Sequence, residues 1–248
     1  MNEEISPTPN RRDFLKTTAI VAGITVAPGV LLYGVSQAKS PDDQTITAKK
    51  RWGMLIDTNK CVQGCNECVN ACITEHGISE NVRPDITSQW IRKVGLRDKQ
   101  TGKEYSLPLF CQHCEHPPCV DVCPTGASFK RVDGIVLVDK HICIGCRYCM
   151  MACPYKARSF VHETLKNQKP HSPRGKGTVE ACTFCVHRID KGQSPACVAA
   201  CQKSGHKAML FGDIKDPNSE ISKKLSHVSS TALRPDMRLN PGIRYQGL

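Results

Sequence analysis

The sequence predicts an α+β fold of short strands, short helices and long loops, arranged as two units that each draw on two groups of cysteines. Three observations lead to it. Sixteen cysteines fall into four groups of four with none left over: Cys61/Cys65/Cys68/Cys72, Cys111/Cys114/Cys119/Cys123, Cys143/Cys146/Cys149/Cys153 and Cys182/Cys185/Cys197/Cys201. Between the second and third groups, Phe129 to Val132 and Ile135 to Val138 flank Asp133-Gly134, the signal of a two-residue type I′ hairpin. Aromatic residues make up only 5% of the 248, while glycine (18) and proline (16) are plentiful, a poor supply for an ordinary hydrophobic core.

Taken in order, residues 1–38 read as an export signal. Arg11-Arg12-Asp13-Phe14-Leu15-Lys16 is a twin-arginine motif, followed by a moderately apolar stretch from Thr17 to Val35. Ser36-Gln37-Ala38 offers small residues for cleavage after Ala38. Asn10 departs from the Ser or Thr usual before the arginine pair. A retained membrane anchor is the alternative, weakened by Thr17, Thr18, Gly23, Thr25, Pro28 and Gly29 in a stretch of barely spanning length. Residues 39–110 form an outer half. In it Trp52 to Asp57 reads as a strand, and Gly64 relieves the extra bend of a C-x₃-C spacing. A hairpin insertion within 73–110 runs from Gln89–Val94, through a turn near Asp98–Gly102, to Tyr105-Ser106-Leu107, and offers a docking surface.

Residues 111–160 are a central unit, with Pro124 and Pro154 preventing each cysteine run from continuing as helix. Pro117 and Pro118 stiffen the widened Cys114–Cys119 loop. Residues 161–212 hold the polar loop Lys169–Gly177, read either as a solvated cover or as a contact for an acidic partner, and then the last cysteine group. Residues 213–248 comprise a short helix from Pro217 to about Ser229, capped by Asp216, and a docking tail. The tail, Arg234 to Leu248, is extended and needs a partner or its own domain to order it.

The third group, CIGCRYCMMACP, is similar to the C-x₂-C-x₂-C-x₃-C-P run of two-cluster bacterial ferredoxins, whose fourth thiolate reaches a second cluster. Cysteine run, hairpin, cysteine run is likewise the ferredoxin order, so the fold class becomes two ferredoxin-like double-cluster units. Sixteen thiolates suffice for four 4Fe-4S clusters. The crossing rule assigns Cys111, Cys114, Cys119 and Cys153 to one central cluster, and Cys143, Cys146, Cys149 and Cys123 to its neighbour. The same logic gives Cys61, Cys65, Cys68 with Cys201, and Cys182, Cys185, Cys197 with Cys72. Zinc ribbons and disulfides are the alternatives. An exported cysteine-rich chain is ordinarily a disulfide scaffold. The twin-arginine route, however, carries proteins folded beforehand, so clusters can be inserted in a reducing cytoplasm. Metal ligation then supplies the stability that the sparse core lacks.

The formal charge of +11 suggests nucleic acid or a membrane surface at first sight. Each oxidised 4Fe-4S core with four thiolates carries about −2, so four of them leave the chain near +3 and the nucleic-acid reading falls away. No Cys-x-x-Cys-His haem attachment, dinucleotide fingerprint or Gly-x-Ser-x-Gly elbow occurs. His113, His116, His141 and His187 lie beside the cysteines as structural contacts or tuners of cluster potential. Arg147, Lys156, Arg158 and Arg188 are either potential-raising cations or solvated surface.

The segments CQHCEHPPCVDVCPTGASF, DGIVLVD and CIGCRYCMMACPYKARSF resemble the four-cluster iron–sulfur subunits that accompany integral membrane quinone-reactive proteins. That group includes the small subunits of tetrathionate, polysulfide and dimethyl sulfoxide reductases and the ferredoxin subunit of formate-dependent nitrite reduction. RWGMLIDTNKC, HSPRGKG, GDIKDPNSE and GIRYQGL are similar to the DsrO subunits of membrane-bound DsrMKJOP complexes of sulfur metabolism. GDIKDPNSE and CTFCVHR are also similar to tetrathionate reductase small subunits. The x₃ spacing at Cys61–Cys65 departs from the commonest pattern. The resemblance implies a periplasmic, non-catalytic electron relay. Its partners would be a DsrP-like integral membrane quinone-reactive subunit, a DsrJ-like periplasmic multihaem cytochrome c and other complex subunits. The alternative it allows is the small subunit of a periplasmic molybdenum reductase.

Overall fold

The computed structural model describes residues 46–78, 86–166 and 168–248, all within one unit, Thr45–Leu248. The twin-arginine segment lies outside the described residues. Strand β1 (Trp52–Asp57) is the middle of a three-stranded sheet. It pairs antiparallel with β8 (Met209–Asp213) and parallel with β9 (Ile243–Gln246). Met54, Leu55 and Ile56 are all buried, as a central strand covered on both faces requires. Gly53 permits this packing, because a Cβ there would meet Ile214 and the Gly242 carbonyl. β9 orders the tail from within the chain: Ile243 and Tyr245 are fully buried, and the Tyr245 hydroxyl donates to the Pro108 carbonyl at 3.1 Å.

The insertion folds as the expected hairpin, β2 (Arg92–Arg97) against β3 (Glu104–Leu109), closed by Asp98, which accepts from the amide of Gln100 at 2.8 Å. The central hairpin departs from expectation. β4 (Ser128–Lys130) pairs with β5 (Val136–Val138), and the Arg131 amide donates to the Ile135 carbonyl. The loop therefore holds three residues, Val132-Asp133-Gly134, with positive φ at Gly134 and not at Asp133. A type I′ turn needs positive φ at both central positions, whereas a three-residue loop ends in one left-handed glycine. Asp133 is fully buried and occupied by Arg131, which also grips Asp190, so its carboxylate is committed to tertiary contacts.

Short helices carry the cysteines: α1 (Glu67–His76), α2 (Pro118–Asp121), α3 (Tyr148–Ala152), α4 (Val186–Ile189) and α5 (Ala196–Lys203). α2 and α3 stop before Pro124 and Pro154 as expected, and Pro118 opens α2 where a missing N–H costs nothing. α6 (Glu220–His227) corrects the capping expectation: Ser219 accepts from the Ser222 amide at 3.2 Å, while Asp216 accepts from Asn218 one turn earlier. The polar loop is not simply a solvated cover. β6 (Ser159–Phe160) and β7 (Val179–Glu180) bracket it, and its Arg174 is buried on Glu180 at 2.7 Å and Glu163 at 3.2 Å. Burying that charge is tolerable only because it is paired. Among the described residues no helix is long and apolar enough to cross a membrane.

Candidate metal centres

Every cysteine is a free thiol, and the thiols gather in four places. Cys61, Cys65, Cys68 and Cys201 line one hollow together with Lys93, His206 and Met209. Cys123, Cys143, Cys146 and Cys149 line another with Thr125, Ser128 and Val179. Cys182 and Cys72 lie in electrostatic range of each other and of Cys185 and Cys197. Cys111 and Cys114 stand in the same relation to Cys119 and Cys153. Each gathering thus joins three cysteines of one sequence group with the last cysteine of another.

Local structure explains how. On α1, Cys68 and Cys72 are one turn apart and both buried, so the helix presents them to two different gatherings. Arg147 and Cys185 adopt left-handed φ at the starts of α3 and α4, turning the chain around the thiols. Gly145 also has positive φ, and a Cβ there would collide with the Gly177 carbonyl. The long loop therefore closes against the third cysteine run.

The donor chemistry suits an electron-rich sulfur core. Backbone amides of Ser128, Val179, Phe184 and Ala208 donate to the sulfurs of Cys123, Cys143, Cys182 and Cys201 at 3.2–3.5 Å. Arg158 Nη2 donates to Cys119 Sγ at 3.0 Å, and its buried Nε and Nη1 have no partner within the protein. Such orphaned donors beside thiols fit sulfide acceptors in the hollow. Burial opposes the Arg158 cation, yet Cys119, Cys111 and Cys149 outweigh it and raise its pKa. Burial and neighbouring sulfur push the thiol of Cys68 up to about 11 and those of Cys111 and Cys114 to about 12. These thiols stay protonated unless a metal displaces the proton, so binding is coupled to proton release.

Of the cations expected near sulfur, Arg158 is in contact. Arg147 lines the hollow of Cys123, Cys143, Cys146 and Cys149 while covering the Phe160 ring at 3.9 Å, Lys156 is exposed, and Arg188 holds Glu75 within electrostatic range of Cys185. His113 is buried, accepts from the Val136 amide at 3.0 Å and stacks on Phe184, a structural contact, while His116 and His141 are exposed. Two contacts went unread in the sequence. Lys93 Nζ donates to Cys61 Sγ at 2.8 Å, and His76 Nε2 lies 3.3 Å from Cys185 Sγ. His76 had a signal: it continues the four-residue spacing of Cys68 and Cys72 on one face of α1.

A 4Fe-4S dicluster domain matches residues 103–214, and a second matches residues 60–127. The chain is 44% identical to the Hdr-like menaquinol oxidoreductase iron-sulfur subunit 1 of Archaeoglobus fulgidus, across 96% of this chain and 98% of that one. It is 36% identical to a tetrathionate reductase subunit of Salmonella typhimurium, covering 96% and 88%. Protein NrfC of Escherichia coli is 36% identical, covering 87% and 85%. Two dicluster domains and sixteen cysteines fit four 4Fe-4S clusters. Near full-length identity, dicluster domains and crossed thiol gatherings converge, and the chain belongs to the family of 4Fe-4S iron–sulfur subunits that transfer electrons within oxidoreductase complexes.

Proposed function

We propose that this chain is the periplasmic, DsrO-like member of a membrane-bound complex of sulfur metabolism, exported by the twin-arginine route. It relays electrons between a DsrP-like quinone-reactive membrane subunit and a DsrJ-like multihaem cytochrome c. The observation that carries the reading is the near end-to-end 44% identity to an iron-sulfur subunit of an Hdr-like menaquinol oxidoreductase. The bound clusters supply one-electron carriers. The chain's part is to hold and tune them. The proposed ligand sets are Cys61, Cys65, Cys68, Cys201; Cys182, Cys185, Cys197, Cys72; Cys111, Cys114, Cys119, Cys153; and Cys143, Cys146, Cys149, Cys123. Lys93, Arg158 and backbone amides donate to ligand sulfur, favouring the more negative state, while burial opposes it.

A second reading, the small subunit of a periplasmic molybdenum reductase, is favoured by the 36% identity to the tetrathionate reductase relative. Gentle purification of the native membrane complex through this chain separates the two. Iron and c-type haem without molybdenum support the first reading, and stoichiometric molybdenum replaces it with the second. The ligand sets have their own test: Cys61→Ser and Cys201→Ser alter the same electron paramagnetic resonance signal, and effects on different signals break the assignment.

A further inference from the structure

Outside the cysteine hollows, three metal-binding side chains converge from separate elements. Glu75 lies in the last turn of α1, His171 lies in the long loop and His187 sits on α4. His187 Nε2 is 2.7 Å from Glu75 Oε1, and His171 Nε2 is 3.8 Å from the same oxygen. One donor atom from each of the three falls within 4.8 Å of the others. Tetrahedral zinc, with bonds of about 2.0–2.1 Å, sets its ligands roughly 3.3 Å apart, inside that range.

The carboxylate is also braced from behind. Arg188 Nη1 holds Glu75 Oε2 at 3.1 Å, and Arg188 Nε donates to the Ser194 carbonyl at 2.8 Å, leaving Oε1 to face the imidazoles. Metal-binding carboxylates are commonly oriented by such outer contacts. His171 Nε2–H donates to the Glu75 carbonyl at 2.9 Å, which holds the ring beside Glu75; zinc ligation through this nitrogen gives up that bond and moves the proton to Nδ1. His171 is exposed and lines a cleft of about 390 Å³, which gives a cation an entry path and water for the fourth position. Two imidazoles and one carboxylate, without thiolate, suit zinc and not an iron–sulfur core.

We propose that Glu75, His171 and His187 form a zinc site, separate from the clusters, that fastens the long loop to α1 and α4. The test uses the full chain carrying its clusters, dialysed against chelator and titrated with zinc ion alone by calorimetry, with iron assayed before and after. One zinc binds per chain with iron unchanged, and the zinc absorption edge reports nitrogen and oxygen neighbours at about 2.0–2.1 Å. His171→Ala, at an exposed loop position, and Glu75→Gln each weaken binding at least about tenfold. The proposal is overturned by an absence of saturable zinc uptake, by sulfur at about 2.3 Å around the zinc, by uptake that displaces iron, or by unchanged affinity in His171→Ala.

Discussion

Lys93 and Arg158 both donate to cysteine sulfur, from different surroundings. Arg158 is buried among thiols of both central gatherings, whereas Lys93 reaches Cys61 from the partly open edge of the β2–β3 hairpin. A cation bonded to ligand sulfur stabilises the added electron, so its removal makes reduction harder. Lys93→Met is expected to lower the midpoint potential of the cluster next to Cys61 and leave the other three in place. Potentiometry followed by electron paramagnetic resonance checks this, and an unchanged or raised potential removes Lys93 from potential control. Arg158 was legible because it stands close after a cysteine run. Lys93 was not, because its partner lies 32 residues away and only the hairpin's placement brings them together. Glu75, His171 and His187 come from three separate segments, so their convergence was hidden in the same way.

Elements were legible where the signal was local. The alternating hairpin strands, the apolar run of β1 and the prolines after the cysteine runs each act within a few residues; β1 and the proline stops fall where expected, and the hairpin forms with its first strand shifted from Gln89–Val94 to Arg92–Arg97. Misreadings arose where another residue claimed the decisive contact. Asp133 looked like turn chemistry, but Arg131, itself anchored on Asp190, draws it inside and the loop becomes one residue longer than the Asp-Gly pair implied. Asp216 looked like a cap, but Ser219 has the hydroxyl on the amide of α6. Ser219→Ala is therefore expected to cost about 1 kcal/mol, with Asp216→Ala costing less. Thermal unfolding of the cluster-loaded protein compares them, and equal losses or the reverse order restore Asp216 as the cap.

For the molecule as a whole, cysteines take much of the interior that aliphatic side chains fill elsewhere. Buried sulfurs of Cys68, Cys72, Cys111, Cys114, Cys149 and Cys197 belong to the same apolar cluster as Met54, Trp90 and Phe184. Chelation of iron under reducing conditions is accordingly expected to abolish the cooperative thermal transition and the near-ultraviolet circular dichroism. An iron-free chain that keeps both has a self-sufficient core. The sheet carries a further consequence, for synthesis. β1 forms early in the chain, yet its parallel neighbour β9 begins at Ile243, and Cys61 gathers with Cys201. Through much of synthesis the nascent chain therefore has β1 in hand without its parallel neighbour, and it has the first cysteine group without that group's distant companion. The interior around the first cysteine group therefore closes late, once both distant segments have been made.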